Sequence, residues 1–111
     1  MADLLKQANA TITDATGAAI LDGAASKAYT IISMSICNTH ASNDETFSVF
    51  RSDAGGSTNK RFIYDTQILP AKATFMHPHK IVLEASQELW VASPSASATI
   101  DVVIGYLEQD V

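Results

Sequence analysis

Two short stretches of the sequence combine residue types that could do chemistry. In the first, Cys37 lies three residues before His40, and a thiol with an imidazole could begin a thiol site or a metal site. In the second, His77 and His79 flank Pro78, and two residues at this spacing share one face of an extended strand. All three histidines together could form the open site of a metal-dependent hydrolase.

The geometry of a β-strand weighs against the first of these sites. Successive side chains of a strand point to opposite faces, so Cys37 and His40 diverge if the strand continues through both positions. They could meet only if the strand ends at Asn38 and the turn folds back. Structural zinc normally takes four nitrogen or sulfur ligands, and the sequence has one cysteine. We therefore expect Cys37 to be a buried, unreactive thiol.

Pro78 weighs against the second site, because proline disfavours regular strand pairing. We expect His77 and His79 to lie in an exposed loop, and we predict no cofactor and no metal within one chain. Copies of one histidine around a symmetry axis could still bind an ion. The sequence has no GxSxG signature, and residues 53–58 (DAGGST) lack the spacing of a phosphate loop. It therefore predicts a protein that is not an enzyme.

Charge and hydropathy narrow the classes of partner. The 111 residues carry a formal net charge of -5, and the seven Lys and Arg residues are scattered, whereas nucleic-acid binding depends on clustered basic side chains. No apolar run is long enough to span a bilayer, and MADLLKQANA lacks the basic leader and apolar stretch of a signal peptide. We expect neither a nucleic-acid partner nor a membrane partner.

The elements that must position these residues are predicted to be β-strands. Alternation of apolar and polar residues, enrichment in β-branched residues and clusters of turn formers all favour strands. The clear strands are 28–39, 46–50, 61–69, 80–84, 87–93 and 98–109, and the weaker ones are 8–13 and 17–21. In the strand predicted at 28–39, alternation places Ile32, Met34 and Ile36 on one face.

The spacing of the turns predicts the fold class. Turn signals recur about every 8 to 14 residues, which is typical of antiparallel sandwiches and barrels. We predict one all-β domain over residues 1–111, an antiparallel β-sandwich that is jelly-roll-like and has about eight strands. Residues 1–9 are predicted to form an extended arm or a helical turn.

Large apolar side chains occur on both faces of several predicted strands. One sandwich interior is not expected to cover them all, since 47% of the residues are hydrophobic. Burial of sheet faces or edges between copies of the chain would account for the excess. The residues predicted to lie at such an interface are Phe50, Phe62, Ile63, Trp90, Tyr106 and Leu107.

Several segments resemble small virion proteins of tailed bacteriophages. They are SICNTHASNDETFSVF (35–50), FIYDTQILPAKAT (62–74), KIVLEASQELWV (80–91) and ASATIDVVIGYLE (96–108). The similar proteins have a strand ending in "cNt", a "tfsvy" strand, a segment ending in "iPa", a "vL..g..l.v" segment and a closing "a.vdv...Y.E" strand. The resemblance covers about residues 10–109, and it departs from the pattern where Ser86 and Gln87 replace the usual turn glycine.

The resemblance implies a compact β-sandwich that assembles in several copies on a phage particle made in the bacterial cytoplasm. The implied role is a capsid decoration (cement) protein, a homo-oligomer with a trimer favoured, which binds the major capsid protein and stabilises the virion. A tail, collar or baseplate component is the alternative within the family. Outside it, a host-glycan or receptor-binding module could use loops 52–61 (SDAGGSTNKR) and 93–97 (SPSAS), although both lack aromatic residues for sugar stacking.

Overall fold

The computed structural model is built from antiparallel β-strands. It describes residues 3–13, 16–53, 58–93 and 100–110. Within these ranges the strands are β1 (Asp3–Ile12), β2 (Ala18–Leu21), β3 (Lys27–Asn38), β4 (Glu45–Ser52), β5 (Arg61–Leu69), β6 (Thr74–His77), β7 (Ile81–Leu83), β8 (Glu88–Ala92) and β9 (Ile100–Asp110). The same ranges contain no helix, and hence none that could cross a bilayer.

The strands pair into two sheets that enclose one apolar core. Sheet A has the order β1-β9-β3-β6, with β7 also paired to β3, and sheet B has the order β2-β8-β4-β5. Because β6 and β7 lie one after the other along β3, they act as one interrupted strand. Eight strand positions in this order form a jelly roll. The prediction of an all-β antiparallel sandwich is confirmed.

β9 shows how alternation builds the core. Ile100, Val102 and Ile104 are fully buried, whereas Asp101 and Val103 point away from the core and are exposed. Each buried side chain of this size stabilises the fold by about 2 kcal/mol relative to an exposed one. The two-residue period of this segment therefore separates its core side chains from its outer side chains.

A β-bulge in β3 changes the face of one predicted core residue. Ile31 and Met34 are both fully buried, but Ile32 is 45% exposed. The register against β9 shifts between Ile31 and Ser33, because the bulge adds one residue that β9 does not match. The prediction that Ile32 shares a face with Met34 and Ile36 is therefore wrong, and Ile32 lies on the outside of sheet A.

The N-terminal segment is a strand over its described length. Asp3–Ile12 pairs residue by residue with β9, from Asp3 opposite Gln109 to Ile12 opposite Ile100. The helical-turn alternative for residues 1–9 is therefore wrong for residues 3–9, the part that the structure describes. The weak strand predicted at 8–13 is the second half of this longer one.

β6 is a strand that the sequence did not predict. It ends at His77, so Pro78 follows the paired residues and its missing N–H removes no ladder bond. His77 is half-buried opposite Met34 of β3, whereas His79 is exposed. The expectation that both histidines lie in an exposed loop is thus correct for His79 and wrong for His77.

Ser86 lies in the turn between β7 and β8. Its φ of +67° is in the left-handed region, which is unfavourable by about 1–2 kcal/mol for a residue with a Cβ. Its N–H donates to the Ala24 oxygen at 3.0 Å, which holds the turn in place.

We predict that Ser86→Gly raises the free energy of unfolding by about 0.5–1 kcal/mol, because glycine adopts this conformation without steric cost. Chemical denaturation measures the change. Ser86→Ala retains the Cβ and should stay near wild type. A midpoint for Ser86→Gly at or below that of Ser86→Ala would contradict the prediction.

Candidate assembly surfaces

The thiol of Cys37 lies on the outer face of sheet A. It is free and half-buried, and its cross-strand neighbours are Asp101 of β9 and Thr74 of β6. The alternation that buries Ile36 turns the next side chain outward. The expectation of a buried thiol is therefore wrong.

His40 lies in the turn after β3 and is bonded to the backbone of that turn. Its Nδ1 accepts hydrogen bonds from the N–H groups of Ser42 at 3.1 Å and Asn43 at 3.0 Å. Its own N–H donates to Oδ1 of Asn38 at 2.9 Å. These bonds fix the imidazole as a cap of the turn, so its role here is structural.

Asn38 connects the ends of the two sheets. Its side chain is completely buried, and Nδ2 donates to the backbone oxygens of Asn43 and Leu69, each at 3.0 Å. Asn38 ends β3 in sheet A, and Leu69 ends β5 in sheet B. Sequence reasoning gave this residue no role, although it is the asparagine of the "cNt" segment.

The structure brings His77 and His79 together, with ring centroids 6.0 Å apart. Nδ1 of His77 shares a hydrogen bond with the hydroxyl of Tyr64 at 2.7 Å. Burial, and then the neighbouring His79, lower the pKa of His77 from its ordinary value of 6.5. No three His, Cys, Asp or Glu side chains of the described ranges are grouped to hold a metal ion. Those ranges therefore do not form the three-histidine site within one chain.

Three of the predicted interface residues form a row on the outer face of sheet B. The ring of Phe50 stacks on Trp90, with centroids 6.2 Å apart, and packs against Phe62 at 5.3 Å. The ammonium of Lys60 lies 4.2 Å from the centroid of Phe50. Phe50 is only 2% exposed and has little surface left for a partner, whereas Phe62 is 47% exposed. We call Phe50, Phe62 and Trp90 the aromatic row.

The other three predicted interface residues lie elsewhere in the sandwich. Tyr106 points into the core, is 8% exposed and packs edge-on against Tyr29 at 5.5 Å. Ile63 is half-buried and packs against the same core. Both are largely covered by their own chain, so the surface assigned to Tyr106 in an interface is not available. Leu107 lies half-buried on the outer face of sheet A.

Two rows of side chains cross the outer face of sheet A. The strand registers place Leu5, Leu107, Thr30 and Val82 in one row, and Asn9, Val103, Ser35 and Met76 in the other. Leu5 is 76% exposed, Met76 59% and Val82 52%. Ile32, at the bulge between the rows, is 45% exposed. We call the surface formed by Leu5, Ile32, Met76, Val82, Val103 and Leu107 the apolar face.

Charged side chains on these strands flank the apolar face but do not enter it. At one end Asp101 accepts a hydrogen bond from the Thr11 hydroxyl at 2.7 Å, and at the other Asp3 accepts one from the Gln109 amide at 3.3 Å. The outward-facing strand residues between these ends are uncharged. A solvated face of an antiparallel sheet normally carries polar residues. The apolar face is therefore the candidate site for another protein.

Comparison with known proteins identifies a fold and no family. No protein-family model matches the sequence, and no curated protein matches it. A chain of the T13 IBDV viral particle has a similar structure, with a TM-score of 0.54 and 8% sequence identity. The match covers 96% of this chain and 30% of that chain. At this identity the likeness shows a shared sandwich fold.

Proposed function

We propose that this protein is a non-enzymatic structural protein of a bacteriophage virion, which decorates the assembled capsid as a homo-oligomer. The apolar face is the observation that carries the proposal, because several large apolar side chains exposed together on one sheet are typical of protein–protein contacts. The resemblance to phage virion proteins supports a place on a phage particle. The fold that the chain shares with part of a viral-particle chain is consistent with that place.

The apolar face joins copies of the chain in this proposal. It extends from Leu5 on the edge strand β1 to Val82 on β7, so it spans the whole width of sheet A. Permanent homo-oligomer contacts are more apolar than transient ones, and their centres are poor in charge. A trimer assembled through this surface leaves the aromatic row and the exposed side chain of Ile68 on sheet B for the major capsid protein.

Decoration stabilises a shell through binding equilibrium. A protein that binds assembled capsid subunits and not free ones shifts the balance toward the shell. A homo-oligomer also contacts several capsid subunits at once, and the linked contacts raise the overall affinity well above that of one contact. Weak contacts from a small domain are therefore sufficient for the proposed role.

Sedimentation equilibrium tests the oligomer. We expect a species of three times the 11.8 kDa chain mass that persists on dilution. A clean 11.8 kDa monomer at high concentration would count against a homo-oligomer joined through the apolar face.

Electron cryo-microscopy of purified particles tests the location. Density for this chain in clusters on the outside of the capsid is the expected result. Density confined to the tail, collar or baseplate would replace decoration with the alternative location. If the chain is absent from purified virions, the virion proposal is wrong.

A further inference from the structure

A polar cleft lies at one rim of the sandwich, where the end of β4 and the start of β5 meet the turn before β8. It has a volume of about 300 Å³ and is lined by Arg51, Asp53, Asn59, Arg61 and Gln87. This volume is at the lower end of the range for small-molecule sites, which is about 300–1,000 Å³. Arg51 also contacts the backbone of Val82, so the cleft borders the apolar face at β7.

The two arginines of the cleft are direct cross-strand neighbours on β4 and β5. Arg51 Nη1 donates to the Val82 oxygen at 3.1 Å, and Arg61 Nη1 donates to the Lys60 oxygen at 3.3 Å. These backbone acceptors hold the guanidinium groups without neutralising them. Among the residues that the structure describes, neither arginine forms a salt bridge. Like charges placed opposite each other are unfavourable, so an anion between them would be stabilising.

The other three lining residues, Asp53, Asn59 and Gln87, offer hydrogen-bonding groups for hydroxyls. Asp53 accepts hydrogen bonds from the amides of Asn59 at 2.7 Å and Gln87 at 3.4 Å. These two bonds, and to a smaller extent the charges of Arg61 and Arg51, lower the pKa of Asp53. Asp53 is therefore ionised at neutral pH. A carboxylate has about four acceptor sites, so it can still accept from ligand hydroxyls.

We infer that the cleft binds an acidic sugar, with the sugar carboxylate between Arg51 and Arg61 and its hydroxyls on Asp53, Asn59 and Gln87. Guanidinium groups recognise carboxylates through paired, charge-assisted hydrogen bonds. Two arginines and one aspartate give the cleft a formal charge of +2 - 1 = +1. This charge balances a monoanionic carboxylate, whereas the second charge of a phosphate dianion would repel Asp53.

The inference is independent of the proposed function, because a decoration protein and a glycan-binding module could each carry such a cleft. No aromatic side chain is among its lining residues, so the sugar gains no stacking energy there. We therefore expect a dissociation constant of about 1 mM for a single sugar, and tighter binding only when several copies engage one glycan.

Titration of the folded protein with galacturonate, followed by heteronuclear NMR, tests the inference. We expect saturable shifts of the cleft residues, and none with galactose, which lacks the carboxylate. Arg61→Gln should weaken binding at least about tenfold, because a hydrogen bond to a charged group is lost. Lys60→Gln is the matched control, since the Lys60 ammonium packs on the Phe50 ring and does not line the cleft.

Three results would overturn the inference. Equal affinities for galactose and galacturonate would mean that the carboxylate is not recognised. Inorganic phosphate that binds more tightly than galacturonate would contradict the charge assignment. Absence of cleft shifts at galacturonate concentrations well above the expected dissociation constant would show that no acidic sugar binds. Arg61→Lys keeps the positive charge but loses the planar guanidinium group. An affinity between those of the wild type and Arg61→Gln supports paired hydrogen bonding.

Discussion

Asn38→Ala is expected to lower the free energy of unfolding by about 3 kcal/mol, because it leaves buried polar groups without partners. The amide of Asn38 is fully buried and donates to the oxygens of Asn43 and Leu69. Its Oδ1 also accepts the N–H of His40. Each unpaired buried group costs about 1–3 kcal/mol. The bond to the Leu69 oxygen is buried, and the bonds to Asn43 and His40 are partly buried.

Urea denaturation of the wild type and the variant measures the change directly. Asn43→Ala is the matched control, because it removes an exposed asparagine side chain from the same turn and keeps the backbone oxygen that Asn38 uses. We expect the control to change stability by less than about 0.5 kcal/mol. If Asn38→Ala and Asn43→Ala both lower the free energy of unfolding by less than about 0.5 kcal/mol, the bonds of Asn38 do not join the two sheets.

Leu5→Asp combined with Val82→Asp is expected to dissociate the proposed homo-oligomer, with at least about a hundredfold loss of association. The two side chains are 76% and 52% exposed in the single chain, so the substitutions should leave the fold intact. In an assembled interface each carboxylate would be removed from water without a partner. A buried unpaired charge is unfavourable by several kcal/mol, which exceeds the free energy of a hundredfold change.

Sedimentation equilibrium and binding to particles are the two measurements. Ile68→Asp is the matched control, because Ile68 is 70% exposed on β5 of the other sheet. It should leave the oligomer intact and affect only contacts made by sheet B. If Ile68→Asp dissociates the oligomer and the double variant does not, the apolar face is not the contact between copies.

Alternation predicts the inner faces of regular strands and fails where the register is irregular. β9 pairs without interruption with β1, and its buried positions follow from its sequence. Ile32 is misplaced because a β-bulge adds a residue without changing the composition of the strand. β6 is missed because Pro78 suggests a loop, and only the structure shows that pairing stops one residue before it.

The candidate sites depend on pairing between strands that the sequence does not specify. Phe50 and Trp90 lie on the outside of sheet B, and their mutual coverage depends on the register of β4 and β8. Arg51 and Arg61 become neighbours only after two register irregularities between β4 and β5. The apolar face likewise combines residues from five strands. Such surfaces could not be predicted from the spacing of residues in one segment.

The position of β9 between β1 and β3 has a consequence for synthesis on the ribosome. β1 and β3 are made early, yet each pairs with residues 100–110, which emerge much later. A nascent chain therefore carries two unmatched edges until translation has passed this segment, and such edges favour aggregation. Pairing across so many residues also slows folding, so slower translation at low temperature and chaperones that shield strand edges should raise the soluble yield.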